Sequence, residues 1–132
     1  MSLILDTHYV FALAGAETKL SKRERALLAA PGERLLVSAV SIWEIRLKWD
    51  ALHASGARKG PASPAQVLAA LASEPIAYLS LTPEHAATPL VNALAHHDPF
   101  DELLLAQAQA EGAMLLTRDA KLKSHPLARG VG

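Results

Sequence analysis

Leu3-Ile4-Leu5-Asp6-Thr7, beside the N-terminus, decides the fold class. Three consecutive large aliphatic residues do not alternate with polar ones. The run therefore predicts a short strand buried on both faces, as in parallel sheets covered by helices. Asp6 then emerges at the strand's C-terminal end, the edge where open α/β sheets bind ligands. The pattern returns near the other terminus, where Asp119 follows Leu115-Leu116-Thr117-Arg118.

Working outward, strands and helices alternate. Thr7 to about Ala14 predicts a short helix with Thr7 as its cap. Ser21-Lys22-Arg23-Glu24 matches a capping box for a helix ending near Ala30, where Pro31-Gly32 stops it. Leu35-Leu36-Val37 predicts a second buried strand, and Ser41 the cap of a helix running through Glu44 to about Leu52. The Gly-, Pro- and Ser-rich stretch from Ser55 to Pro64, with Arg58 and Lys59, reads as a loop. Ser63-Pro64, Thr82-Pro83 and Asp98-Pro99 each place a cap before a proline, a helix-opening order. Ile76 to Leu81 predicts a strand, Gly112 ends the last long helix, and Met114 to Thr117 makes a final strand. This alternation implies a parallel sheet between helices.

Composition narrows the function classes. The 132 residues fit one domain, 1–132, and 51% are apolar, which excludes disorder. The absence of cysteine removes thiolate nucleophiles and sulfur-rich zinc sites, and suits a reducing cytoplasm. No apolar run approaches the roughly 18 residues a bilayer span needs, and no basic leader precedes Leu3, so neither a membrane anchor nor a signal peptide is expected. Thirteen basic and thirteen acidic residues give zero formal charge, which argues against a broad basic nucleic-acid surface.

The acids carry the chemistry. Asp6, Glu44, the Asp98/Asp101 pair and Asp119 come from distant segments. Each has a bland reading beside the functional one. Asp6 can cap the following helix. Glu44 can pair with Lys48 at (i, i+4), although its neighbours Ile42, Trp43 and Ile45 leave an acid there in need of a partner. Asp98 can cap its helix and offset the dipole, an account that serves Asp101 less well. Asp119 can form a turn. Carboxylates crowded together repel and raise one another's pKa, and a hard divalent cation relieves that. Such an ion polarises phosphoryl oxygens, which points to phosphate esters as substrates.

The phrases Leu5-Asp6-Thr7-His8, Ser38-Ala39-Val40-Ser41-Ile42-Trp43-Glu44-Ile45, Ser80-Leu81-Thr82-Pro83-Glu84-His85, His97-Asp98-Pro99-Phe100-Asp101 and Leu116-Thr117-Arg118-Asp119 occur in this order. Together they resemble the PIN-domain nucleases, in particular the toxin subunits of bacterial VapBC-type toxin–antitoxin modules, over about residues 2–122. The resemblance implies a PIN-like three-layer α/β/α fold with a central twisted parallel sheet. It also implies a Mg²⁺- or Mn²⁺-dependent endoribonuclease, an RNA substrate, a cognate VapB-like antitoxin and a homodimer. The family's acids map onto Asp6, Glu44, Asp101 and Asp119 as catalytic metal ligands, with Asp98 auxiliary and Thr117 a polar neighbour. After Lys121 the chain departs from the pattern: it lacks an aromatic-ended last strand.

Around the acids, Arg46, Lys48 and His97 are candidate substrate contacts, with Arg58 and Lys59 also within the basic set. The competing reading makes them surface residues, and His96-His97 a solvated loop pair. Trp43 and Trp49 read as core or interface aromatics rather than base-stacking platforms. Two other functions stay open. A phosphoacceptor signalling domain also clusters acids at strand ends with Mg²⁺ but needs neither Glu44 nor the Asp98/Asp101 pair. A catalytically silent PIN-like binding module predicts no metal-dependent thermal shift.

Overall fold

The structure is a computed structural model and describes residues 1–16, 19–96 and 98–131. Its strands are β1 (Ser2–Leu5), β2 (Arg34–Ser38), β3 (Ile76–Leu79), β4 (Met114–Leu116) and β5 (Ala128–Arg129). They form one parallel sheet in the order β3-β2-β1-β4-β5. The helices are α1 (Thr7–Leu13), α2 (Lys22–Ala29), α3 (Ala39–Asp50), α4 (Pro64–Leu71), α5 (Pro83–Ala87) and α6 (Pro99–Glu111).

The doubly buried strands explain the layering. Leu3, Leu5, Leu35, Val37 and Leu116 face one core with Tyr9, Val10, Ile45, Val67 and Leu71, from α1, α3 and α4. Ile4, Leu36 and Leu115 point the opposite way, against Leu104, Leu105 and Ala108 of α6. Alternate residues of one strand thus feed two cores, which is why no polar residue interrupts Leu3-Ile4-Leu5. Each such side chain contributes about 1.5–3 kcal/mol of burial. The result is three layers, helices on both faces of a sheet.

Helix starts follow local chemistry, with two corrections to the sequence reading. At α1 the cap is Asp6, whose Oδ1 accepts from the Tyr9 N–H at 3.4 Å, and Thr7 is the first helical residue. At α3 the cap is Ser38, whose Oγ accepts from the Val40 N–H at 3.0 Å. Ser41 instead lies buried inside that helix, its Oγ without a hydrogen-bond partner among the described residues. β2 runs straight into α3 with no connecting loop, so the helix starts three residues earlier than the serine pattern indicated. The capping box at Ser21/Glu24 forms as the spacing predicts, and Ser63 caps α4 ahead of Pro64 as expected, with Gln66 completing a second box there. At α5 the His85 ring takes the usual Glu/Gln place, Nδ1 accepting from the Thr82 N–H at 3.0 Å. Gly112 closes α6 at φ +63°, a left-handed conformation that suits glycine.

The tail beyond Lys121 adds β5, a two-residue strand pairing Leu115 with Ala128 and Leu116 with Arg129. The sheet edge is therefore present without an aromatic residue. α3 ends at Asp50, short of Leu52, and Leu52 instead forms an antiparallel bridge with Arg58 of the stretch read as a loop. Among the described residues no helix is long and apolar enough to cross a membrane.

Candidate active site

The sheet order reverses between β1 and β4, which pair directly through Leu5 and Leu116. At such a switch point the connections leave to opposite faces and open a crevice beyond the strand ends. The Asp6 N–H donates to the Leu116 carbonyl at 3.1 Å, fixing the two strand ends together. A cleft of about 680 Å³ opens there, lined by Asp6, Glu44, Asp98, Asp101 and Asp119, with Lys48, Lys59, Arg118 and His8 also on its walls. Acids from four separate segments thus share one cavity.

Each acid is held by a different local device. Asp6 spends one oxygen on the α1 cap and is 9% exposed. Glu44 projects from α3, where Oε1 accepts from the Thr7 hydroxyl at 2.5 Å and Oε2 stands 3.5 Å from Lys48 Nζ. The (i, i+4) pairing and the position on the cleft therefore coexist. Asp98 caps α6, its Oδ1 accepting from the Phe100 N–H at 2.9 Å and the Asp101 N–H at 3.3 Å. Asp101, one turn on, meets His96 Nε2 through Oδ2 at 3.2 Å. Asp119 receives the Lys121 N–H on Oδ1 at 2.9 Å, the turn geometry its bland reading describes. Thr117 is fully buried behind the cleft, and its Oγ1 accepts from the Asp119 N–H at 3.0 Å.

The electrostatics are those of crowded anions. Burial pushes the Asp6 carboxyl up, opposed by the Thr117 hydroxyl and the nearby His8 ring. Burial likewise pushes Asp101 up; the His96 contact opposes it, while Asp98, Asp119 and Glu44 add to it by repulsion. Among the described residues no three His, Asp or Glu side chains are arranged to hold one ion directly. The donor set nevertheless fits a hard cation, because it is all carboxylate oxygen and its members repel in the ion's absence. Mg²⁺ in particular keeps several waters and needs only one or two direct carboxylates.

The remaining sequence candidates separate. Lys48 lines the cleft, whereas Arg46 is exposed and does not. His97 lies outside the described residues. Two residues, Arg118 and Gln107, have no role assigned in the sequence reading, and a third, His96, reads there with its neighbour as a loop pair. His96 holds Asp101 rather than standing in a solvated pair. Arg118 forms a bidentate ion pair with Glu24, Nε to Oε2 at 2.6 Å and Nη2 to Oε1 at 2.6 Å, and sits 5.6 Å from the Tyr9 ring. Gln107, buried on α6, joins Ser38, the Ser80 carbonyl and His85. A polar residue inside the apolar run from Leu103 to Ala108 was the available signal for it. Trp43, read as a core or interface aromatic, is 48% exposed and meets Phe100 edge-on at 5.3 Å, bridging the helices that carry Glu44 and Asp101.

Comparison with known proteins bears on the fold and the family. The chain is similar in fold to a chain of the VapBC2 complex of Rickettsia felis bound to a promoter DNA fragment, with TM-score 0.63, 17% identity and 100% of both chains covered. It is also similar to a chain of VapBC-1 from nontypeable Haemophilus influenzae, with TM-score 0.54, 19% identity, 92% of this chain and 89% of that one. No curated protein matches it. The family model for the PIN domain matches residues 3–126. The chain belongs to the PIN domain family.

Proposed function

We propose that the protein is a divalent-metal-dependent endoribonuclease, the toxin of a type II toxin–antitoxin pair. The observation that carries the proposal is the convergence of five carboxylates on one cleft at the switch point of the sheet. In this reading Asp6, Glu44 and Asp101 would surround Mg²⁺ or Mn²⁺, one or two of them binding directly and the rest through water, with Asp119 reaching it through water. When bound, the ion supplies charge neutralisation and polarisation of a phosphoryl oxygen. Asp98 keeps α6 in register and adds negative charge beside Asp101. The Thr117 hydroxyl accepts from the Asp119 N–H, positioning Asp119, and helps to hold the Asp6 carboxylate ionised. Thr7 and Lys48 restrain Glu44, and His96 restrains Asp101. Asp119, with Oδ1 committed to Lys121, uses Oδ2 to orient the water that attacks the phosphodiester in line.

The partners belong to the same proposal: an RNA substrate, a VapB-like antitoxin and a second copy of the chain. Two structural neighbours come from VapBC complexes, and Trp43, Leu47 and Leu68 leave apolar surface on α3 and α4 for protein contact. The test is end-mapping of RNA incubated with wild type or Asp6→Asn, with and without chelator. Wild type should cut only when metal is present. Asp6→Asn should be slower by roughly 10²-fold or more, the several kcal/mol such a site supplies. Equal rates, or cleavage in chelator, would overturn the proposal. Stable phosphorylation of an aspartate by a small phosphodonor, without cleavage, would favour a signalling role instead.

A further inference from the structure

The segment between α3 and α4 is an ordered hairpin rather than a featureless loop. The Lys59 N–H donates to the Ala51 carbonyl at 3.1 Å and the His53 N–H to the Ala57 carbonyl at 2.8 Å, flanking the Leu52–Arg58 bridge. Arg58 pins this return to the end of α3. Its Nη1 donates to the Trp49 carbonyl at 2.8 Å, and its guanidinium lies 4.9 Å from the Trp49 ring centroid. Gly60 then packs on the α3 backbone. A Cβ there would sit 3.3 Å from the Trp49 nitrogen and 3.4 Å from the Lys48 carbonyl carbon, neither of which can swing aside. This close approach sets Lys59 and Pro61 on the wall of the acidic cleft.

Charge pairing singles out one residue. Three Lys or Arg side chains line the cleft. Lys48 is beside Glu44 and Arg118 is committed to Glu24. Lys59 is exposed and, among the described residues, has no carboxylate within ion-pair distance. A polyanion approaching five carboxylates needs a cation at the rim that is not already neutralised.

We propose that residues 51–61 form a substrate-binding jaw in which the Lys59 ammonium grips a backbone phosphate of RNA beside the acidic cleft. The proposal rests on the reading that this cleft receives RNA. Lys59 is a binding residue here, with no part in bond breaking. Arg58, spent on Trp49, supports the jaw without touching the nucleic acid.

The experiment measures anisotropy of an end-labelled, mixed-sequence single-stranded RNA with Asp6→Asn as the non-cutting parent. Asp6→Asn/Lys59→Ala and Asp6→Asn/Lys59→Arg are compared with it in Mg²⁺, from about 50 to about 200 mM salt. Lys59→Ala should weaken binding roughly fivefold, the worth of one exposed charged contact. It should also lower the slope of log affinity against log salt by about 0.7, one phosphate on a single strand. Lys59→Arg should restore both. An unchanged affinity and slope overturns the jaw, as does a parent that binds no RNA. Equal loss in the Ala and Arg variants also overturns it, because position rather than charge would then matter. A Lys59→Ala chain that binds RNA normally but loses a protein partner overturns it too. If wild type fails to cut RNA while the Lys59 slope change appears, the nuclease reading fails and the jaw stands.

Discussion

Glu24→Gln should unfold the protein early, and only where the carboxylate would be charged. Glu24 is 7% exposed and accepts from two of the three Arg118 guanidinium nitrogens, while the Tyr9 hydroxyl donates to its Oε2 at 2.5 Å. The isosteric amide leaves the guanidinium partly buried without a counter-charge. Removing one partner of a buried pair costs about 3–5 kcal/mol, and the 33% exposure of Arg118 lowers that to roughly 2–3 kcal/mol. For 132 residues the unfolding entropy is roughly 0.28 kcal/mol/K, so the midpoint should fall by about 7–10 °C at pH 7. The Arg118 guanidinium, chiefly, holds the Glu24 carboxyl well below its ordinary value of 4.5. A depressed folded-state value contributes stability above the ordinary one and loses it as pH falls. The gap between wild type and variant should therefore narrow progressively below pH 4.5. Thermal melts by circular dichroism from pH 7 downward measure it. A drop under about 1 °C, or a gap unchanged on acidification, would refute the reasoning.

Two further predictions concern the α3 junction and the acids. Ser38→Ala should cost about 1–2 kcal/mol, since it removes the α3 cap and a partner of Gln107. Ser41→Ala should be neutral or stabilising by up to about 1 kcal/mol, because its buried hydroxyl bonds to nothing among the described residues; urea melts separate the two, and the reverse ranking would contradict the cap assignment. Asp101→Asn removes a half-buried charge and its repulsion from Asp98, Asp119 and Glu44, so the variant should melt above wild type in chelator. With ion at about 100 times its Kd, wild type should gain roughly 2.7 kcal/mol, near 10 °C, and the variant much less. Equal metal-induced shifts would separate Asp101 from the ion.

The sheet was legible because Leu3-Ile4-Leu5 and Leu35-Leu36-Val37 admit few readings other than strands buried on both sides. The prolines after Ser63, Thr82 and Asp98 placed three helix starts because proline is tolerated in a first turn. The α3 start was misplaced because Ser38 and Ser41 are equally good caps in isolation. Only the tertiary arrangement, with β2 passing into α3 without a loop, decides between them. The acids were visible one by one, but their meeting depends on strand order, and nothing local records that β1 neighbours β4. Arg118 and Glu24 are 94 residues apart, so their pairing left no spacing to read. The 51–61 hairpin was hidden for a related reason: its hold on α3 comes from a missing Cβ at Gly60 and one stacked guanidinium.

The central claim is that these acids converge to hold a catalytic divalent ion, and anomalous diffraction from crystals grown with Mn²⁺ tests it most directly. The predicted result is a peak in the cleft among Asp6, Glu44, Asp101 and Asp119 that disappears in Asp6→Asn crystals. An empty cleft at a Mn²⁺ concentration that supports RNA cleavage, or a peak bound elsewhere and indifferent to Asp6, would contradict it.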